Sequence, residues 1–191
     1  MGFLWAVVAL SMAFGTFAEF IVTPDLSLIL WFLLHCIAAL LFLIRNPPVQ
    51  YSSSKIAYFV ALASVNYYLL YDPHPASEMV GLGQFLIVLG GLMGIASTLS
   101  LGKCFGILPV CRGVRTSAAY RLIRHPIYAS YIVLDSGIIV AHPSLGNFII
   151  FSIAVLLFVL RIRYEEEVLL HSTEYADYKK HVKYKLIPHL Y

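Results

Sequence analysis

The chain has 191 residues, 60% of them hydrophobic and 12% charged, with a net charge of +3 at neutral pH. A soluble domain carries about 25% charged residues, and a chain this short cannot bury so much apolar side chain in one core, so lipid must cover the rest. The three cysteines, Cys36, Cys104 and Cys111, lack CxxC spacing, which argues against a disulfide framework and a zinc site.

The length allows one domain, read here as N-terminal transmembrane helices over 1–101 and a catalytic region over 102–191. A spanning helix needs roughly 20 apolar residues. The first candidate, 3–22, lacks a basic leader and is too long for a signal peptide core. Thr23-Pro24-Asp25 breaks it. The second, 26–44, stops at Arg45-Asn46-Pro47-Pro48. The third, 55–70, follows a Ser-rich linker and ends in Tyr67, Tyr68 and Tyr71, placed as an aromatic belt. The acidic loop 72–78 follows, then a fourth span over 79–101, whose Gly90, Gly91 and Gly94 suit close helix packing. After a basic stretch at 103–124, two shorter apolar segments, 126–141 and 144–160, read as a hairpin flanking His142-Pro143. The tail from Arg161 is charged. The expected fold is all-α and integral to the membrane, with about five to six transmembrane helices.

Of the 13 Lys and Arg residues, 11 follow residue 102, and the other two, Arg45 and Lys55, flank the second loop. One topology puts all of them on the cytosolic side. The N-terminus, second loop, basic stretch and tail are then cytosolic, with the catalytic side.

Two blocks carry candidate chemistry. In Arg124-His125-Pro126-Ile127-Tyr128, Pro126 suits the first turn of a helix, His125 its N-cap side, and the helix N-terminus an anion. In 161–170, Arg163 shares a helix face with Glu166 and Glu167; the bland alternative is a solvated charge run. Asp135 is an intramembrane acid and a functional candidate. Glu19 is expected to snorkel outward, and His35 and Asn66 to make interhelical hydrogen bonds. HExxH, GxSxG, Walker and Rossmann patterns are absent.

RHPIY at 124–128, the acidic run at 165–167, and the tail EYADYKKHVKYKLIP together resemble the isoprenylcysteine carboxyl methyltransferase and phospholipid methyltransferase group, over about residues 99–191. The resemblance implies an S-adenosylmethionine-dependent membrane methyltransferase of bacterial or archaeal type. It implies cofactor contacts from Arg112, Gly113, Val114, Arg115, Tyr120, His125, Pro126, Ile127, Tyr128 and Glu166. It assigns Arg163 to the acceptor beside Glu166, with Arg161 as the substitute if the register shifts. Ser117-Ala118-Ala119-Tyr120 departs from the family, which often has glycine before that aromatic, and the phenylalanine-glycine after the acidic run is missing.

The implied acceptor is a lipophilic small molecule or prenylated group, most simply a prenylcysteine-type carboxylate, met in membrane lipid; phospholipid amines and small thiols are the alternatives. No metal and no nucleic acid are expected, and the oligomeric state is left open. Two other classes compete: an NADPH-dependent membrane reductase, which would be longer and carry more polar motifs, and a non-enzymatic lipid-binding protein.

Overall fold

The computed structural model describes residues 2–22, 25–72 and 80–188. The break at Thr23-Pro24 and the loop 73–79 lie outside them.

Helices α1 (Gly2–Val22) and α2 (Leu26–Ile44) form an antiparallel pair. Small residues Ala6, Ala9 and Ala39 let them approach, and Phe42 packs on Trp5 and Phe105. Their outer faces stay apolar and bare, with Phe3 and Phe14 each 75% exposed, as a lipid-facing surface requires. Asp25 caps α2 by accepting from the Ser27 backbone N–H. It also accepts from Gln84 Nε2 at 2.7 Å, which ties the pair to α4 (Val80–Leu101).

The fourth span packs along α5 (Pro126–Ala141) through small residues. A Cβ on Gly90 would stand 2.5 Å from the Leu134 backbone nitrogen, and one on Gly137 would stand 2.6 Å from the Gly83 carbonyl oxygen. Gly91 instead faces Leu30 of α2.

The third expected span does not form. Helix α3 covers only Lys55–Ala63, and a 3-10 turn follows at Tyr67–Leu70. Tyr67 is not an interfacial anchor; its hydroxyl donates to Asp135 at 2.7 Å. His35 and Asn66 also differ from expectation. Each bonds a carbonyl one turn back, of Trp31 and of Leu62 respectively, and among the described residues neither bonds a neighbouring helix.

The hairpin's second arm is longer than expected. Helix α6 runs Leu145–Leu169, straight through the charged block, because no glycine or proline interrupts it after Gly146 and its Arg and Glu residues favour helix. Among the described residues, four helices are long and apolar enough to cross a membrane, and α5 is a shorter apolar helix. The count therefore falls below the five to six expected, while the all-helical membrane class stands.

At the end of the bundle where α4 finishes and α5 begins, strand β1 (Gln50–Tyr51) pairs antiparallel with β2 (Val110–Cys111). Asn46 fastens this end. Its N–H donates to the Lys103 carbonyl at 2.8 Å, and its Nδ2 to the Arg112 carbonyl at 3.1 Å. A 3-10 turn at Ala118–Arg121 leads into α5, and α7 (Thr173–His181) folds back beneath it, with Tyr178 donating to the Tyr120 carbonyl at 2.6 Å.

Candidate active site

Pro126 opens α5 at its first position and His125 is the N-cap, without a side-chain cap bond. The chain just before α5 is pinned by the tail. The N–H groups of Arg124 and His125 donate to the carbonyls of Tyr184 and Lys185, each at 2.9 Å. The Arg124 guanidinium also donates to the carbonyls of Val182 and Lys183.

The two adjacent acids of α6 have different surroundings. Glu166 is buried, and its Oε1 receives Arg124 Nε at 2.8 Å, His125 Nε2 at 3.2 Å and the Tyr175 hydroxyl at 3.2 Å, while Lys185 Nζ stands 3.4 Å from Oε2. One carboxylate thus joins α5, α6, α7 and the tail. Glu165 faces a cavity instead. It accepts from the Tyr128 hydroxyl and from Arg161 Nε at 3.1 Å.

Arg161 is buried yet lines the same cavity. Its Nη1 donates to Ser64 Oγ at 2.8 Å and its Nη2 to the Ile107 carbonyl at 2.7 Å, and its guanidinium lies 5.4 Å from the Tyr128 ring centroid. A guanidinium fixed in this way presents a permanent positive charge to the cavity.

The cavity wall holds Arg112, Gly113, Val114, Arg115, Tyr120, His125, Ile127 and Tyr128 together. Gly113 adopts φ +113, and a Cβ there would meet Cys104 Sγ at 3.2 Å; the turn therefore needs glycine. Of the residues expected at the cofactor, Pro126 and Glu166 do not line the wall and stand behind it as supports. Burial pushes the Tyr120 and Tyr175 phenols well up and the Tyr178 phenol up to about 12. These hydroxyls are neutral donors at physiological pH.

Arg163 is exposed and does not reach the cavity. It lies about 200° around α6 from Arg161. The pair Arg161 and Glu165, one turn apart, occupies the inner face. Glu165, Arg124, Tyr131 and the tyrosines of α7 are further wall residues that the sequence reading did not single out as site residues. The spacing of 128 and 131 in α5, and of 161 and 165 in α6, is the signal that could have found Tyr131 and Glu165.

Residues 84–171 match the family model for isoprenylcysteine carboxyl methyltransferase. Among curated proteins, none matches the chain. Four solved chains match in structure. One is the eukaryotic intramembrane Ras methyltransferase, isoprenylcysteine carboxyl methyltransferase, determined without a monobody. It superposes with a TM-score of 0.53 at 19% identity, covering 97% of this chain and 74% of that one. The chain thus resembles the isoprenylcysteine carboxyl methyltransferase family over α4 to α6, somewhat less than half its length, and shares the all-helical membrane fold of an intramembrane methyltransferase over nearly all of it.

Proposed function

We propose that this protein transfers a methyl group from S-adenosylmethionine to the carboxylate of a lipophilic, prenylcysteine-type acceptor. The observation that carries the proposal is the composition of the cavity. Glu165 and the rings of Tyr120, Tyr128 and Tyr131 suit a sulfonium cation, and the fixed Arg161 guanidinium suits a carboxylate.

The wall fits the cofactor in a second respect. The backbone at 112–115 and the residues Tyr120, His125 and Ile127 would hold its polar body, with Pro126 and Glu166 supporting them. Bound there, S-adenosylmethionine would supply a methyl group activated by positive sulfur. The residues of the chain align and neutralise. Arg161 takes the role the sequence reading gave to Arg163, orienting the acceptor carboxylate, while Glu165 and the tyrosine faces stabilise the opposing positive charge. With the acceptor carboxylate held by Arg161, transfer of that methyl group would leave a methyl ester and a neutral thioether. No proton moves, so no general base is needed. Alignment of this kind can supply about 7–11 kcal/mol of barrier lowering. The basic residues gathered at this end support a cavity mouth on the cytosolic side, with the acceptor's apolar chain entering from the membrane.

The test is calorimetry on the purified protein in detergent with S-adenosylmethionine, S-adenosylhomocysteine and NADPH, followed by a methyl-transfer assay with an S-prenylcysteine bearing a free carboxylate and with a phospholipid amine. Binding of both sulfur compounds and formation of a base-labile methyl ester are expected. Selective NADPH binding would replace this reading with a reductase; binding of none by folded protein would favour a non-enzyme.

A further inference from the structure

Asp135 takes no part in the mechanism above, yet it is 1% exposed in the middle of α5. Its Oδ2 accepts from Tyr67. Its Oδ1 is buried with no hydrogen-bond partner among the described residues, as is the Tyr71 hydroxyl. An acid in this position costs stability, and a group used only for packing would not need the charge-bearing atoms.

What Asp135 holds is unusual backbone. Helix α3 has nine residues, so it rises about 13 Å, less than half the hydrocarbon thickness. The chain then continues through 64–72 as turn and 3-10 structure. Non-helical backbone at this depth persists only where protein secures it or a cavity needs it. Three buried side chains of α5 and α6 secure it. Arg161 bonds Ser64 Oγ at one end, Asp135 bonds Tyr67 in the middle, and Asn147 exchanges two bonds with the Asp72 backbone, at 2.9 and 2.8 Å, at the other.

This segment reaches the cavity by two routes. Val65 lies in the cavity wall. The Tyr67 ring packs edge-on against the fully buried Phe158 at 5.4 Å, and Phe158 packs against Tyr128 at 5.7 Å and Tyr131 at 5.8 Å, both wall residues. We propose that Asp135 is a positioning residue: through Tyr67 it fixes the broken segment 64–72 as the membrane-side wall along which the acceptor's apolar chain lies. This rests on the methyl-transfer reading for the identity of the acceptor, while the fixing of the segment does not.

The experiment compares Asp135→Leu, Tyr67→Phe and Asp135→Asn with the unaltered protein by amide hydrogen exchange of 64–72, by cofactor calorimetry, and by acceptor kinetics with an S-prenylcysteine. Asp135→Leu and Tyr67→Phe should speed exchange in 64–72 relative to α4. They should raise the acceptor KM about tenfold, the effect of losing one hydrogen bond to a charged group, with cofactor Kd changed by less than about twofold. Asp135→Asn, whose amide oxygen still accepts from Tyr67, should restore both. Unchanged exchange in Asp135→Leu would overturn the proposal. So would an asparagine variant as impaired as the leucine one, or equal losses in acceptor KM, cofactor Kd and Tm, which mark a general structural role. If the unaltered protein binds no cofactor, the methyl-transfer reading fails by itself, and the exchange data still decide whether Asp135 fixes the segment.

Discussion

Against α4, helix α5 lies so close that a single added carbon at Gly90 or Gly137 would strike backbone. Against α6, α7 and the tail, the same helix is joined by a carboxylate shared among Arg124, His125 and Lys185. The α4 face presents Ser130, Leu134, Gly137 and Ala141, each met by a glycine of α4 or by its neighbours. The other face presents Tyr128, Tyr131 and Asp135 beside the site. The α4 contact is steric and fails when an atom is added; the α6 contact is ionic and fails when one is removed. The candidate site sits at the ionic contact, where side chains leave charge and hydrogen-bonding capacity directed at a cavity.

The sharpest way to break the ionic contact is Glu166→Ala. It leaves Arg124, His125 and Lys185 facing a buried gap, and losing one partner of a buried ion network costs about 3–5 kcal/mol. Equilibrium unfolding in detergent should show a loss of that size together with loss of cofactor binding. A loss below about 1 kcal/mol would show that the tail, not the carboxylate, holds the contact.

Next comes a pair of arginines two positions apart. Arg161→Ala removes the bonds to Glu165, Ser64 and the Ile107 carbonyl. It should abolish methyl transfer to a carboxylate acceptor and destabilise by more than about 2 kcal/mol, as expected on the scale for buried pairs. Arg163→Ala, on the exposed side, should stay within about 0.5 kcal/mol of the parent and keep its turnover. Reversed activities would return the acceptor role to Arg163.

The steric contact is tested by Gly90→Ala, whose new methyl group meets the Leu134 backbone. Overpacking of this kind should cost about 1–3 kcal/mol. A Cβ added at Gly81 would meet none of the described residues within 4 Å, so Gly81→Ala in the same helix should be neutral or gain a few tenths of a kcal/mol. Equal effects at both positions would deny the close approach.

How much of this was legible in the sequence follows from which contacts are local. The apolar runs of α1, α2 and α4 are set by bilayer thickness, a local length rule, and they appear within a residue or two of expectation. The breakdown of 55–70 was hidden because its composition is as apolar as a span. What breaks it is the set of partners Arg161, Asp135 and Asn147, contributed from 68 to 100 residues away. In the site, the motif RHPIY was readable from sequence, but the choice between Arg161 and Arg163 depended on how α6 is rotated. That rotation is set by Phe158 and Ile162, both 0% exposed in the core, and a small change of phase exchanges an inner arginine for an outer one.

The smallest effect tests the turn that feeds α5. Ala118 adopts φ 53, the left-handed region, which costs a non-glycine residue roughly 1–2 kcal/mol. It stands two residues before Tyr120. Its side chain is exposed, so Ala118→Gly removes no packing. Glycine loses about 0.5–1 kcal/mol more conformational freedom on folding, and the net gain should be about 0.5–1 kcal/mol. Thermal unfolding should show that increase with the cofactor Kd unchanged, since Tyr120 keeps its wall position and its carbonyl keeps the bond from Tyr178. The opposite substitution at another positive-φ position, Gly113→Ala, should lose stability, because its methyl group would also press on Cys104. If Ala118→Gly were neutral or destabilising, the backbone there would not be left-handed in solution, and the approach to α5 would be held by the tail alone.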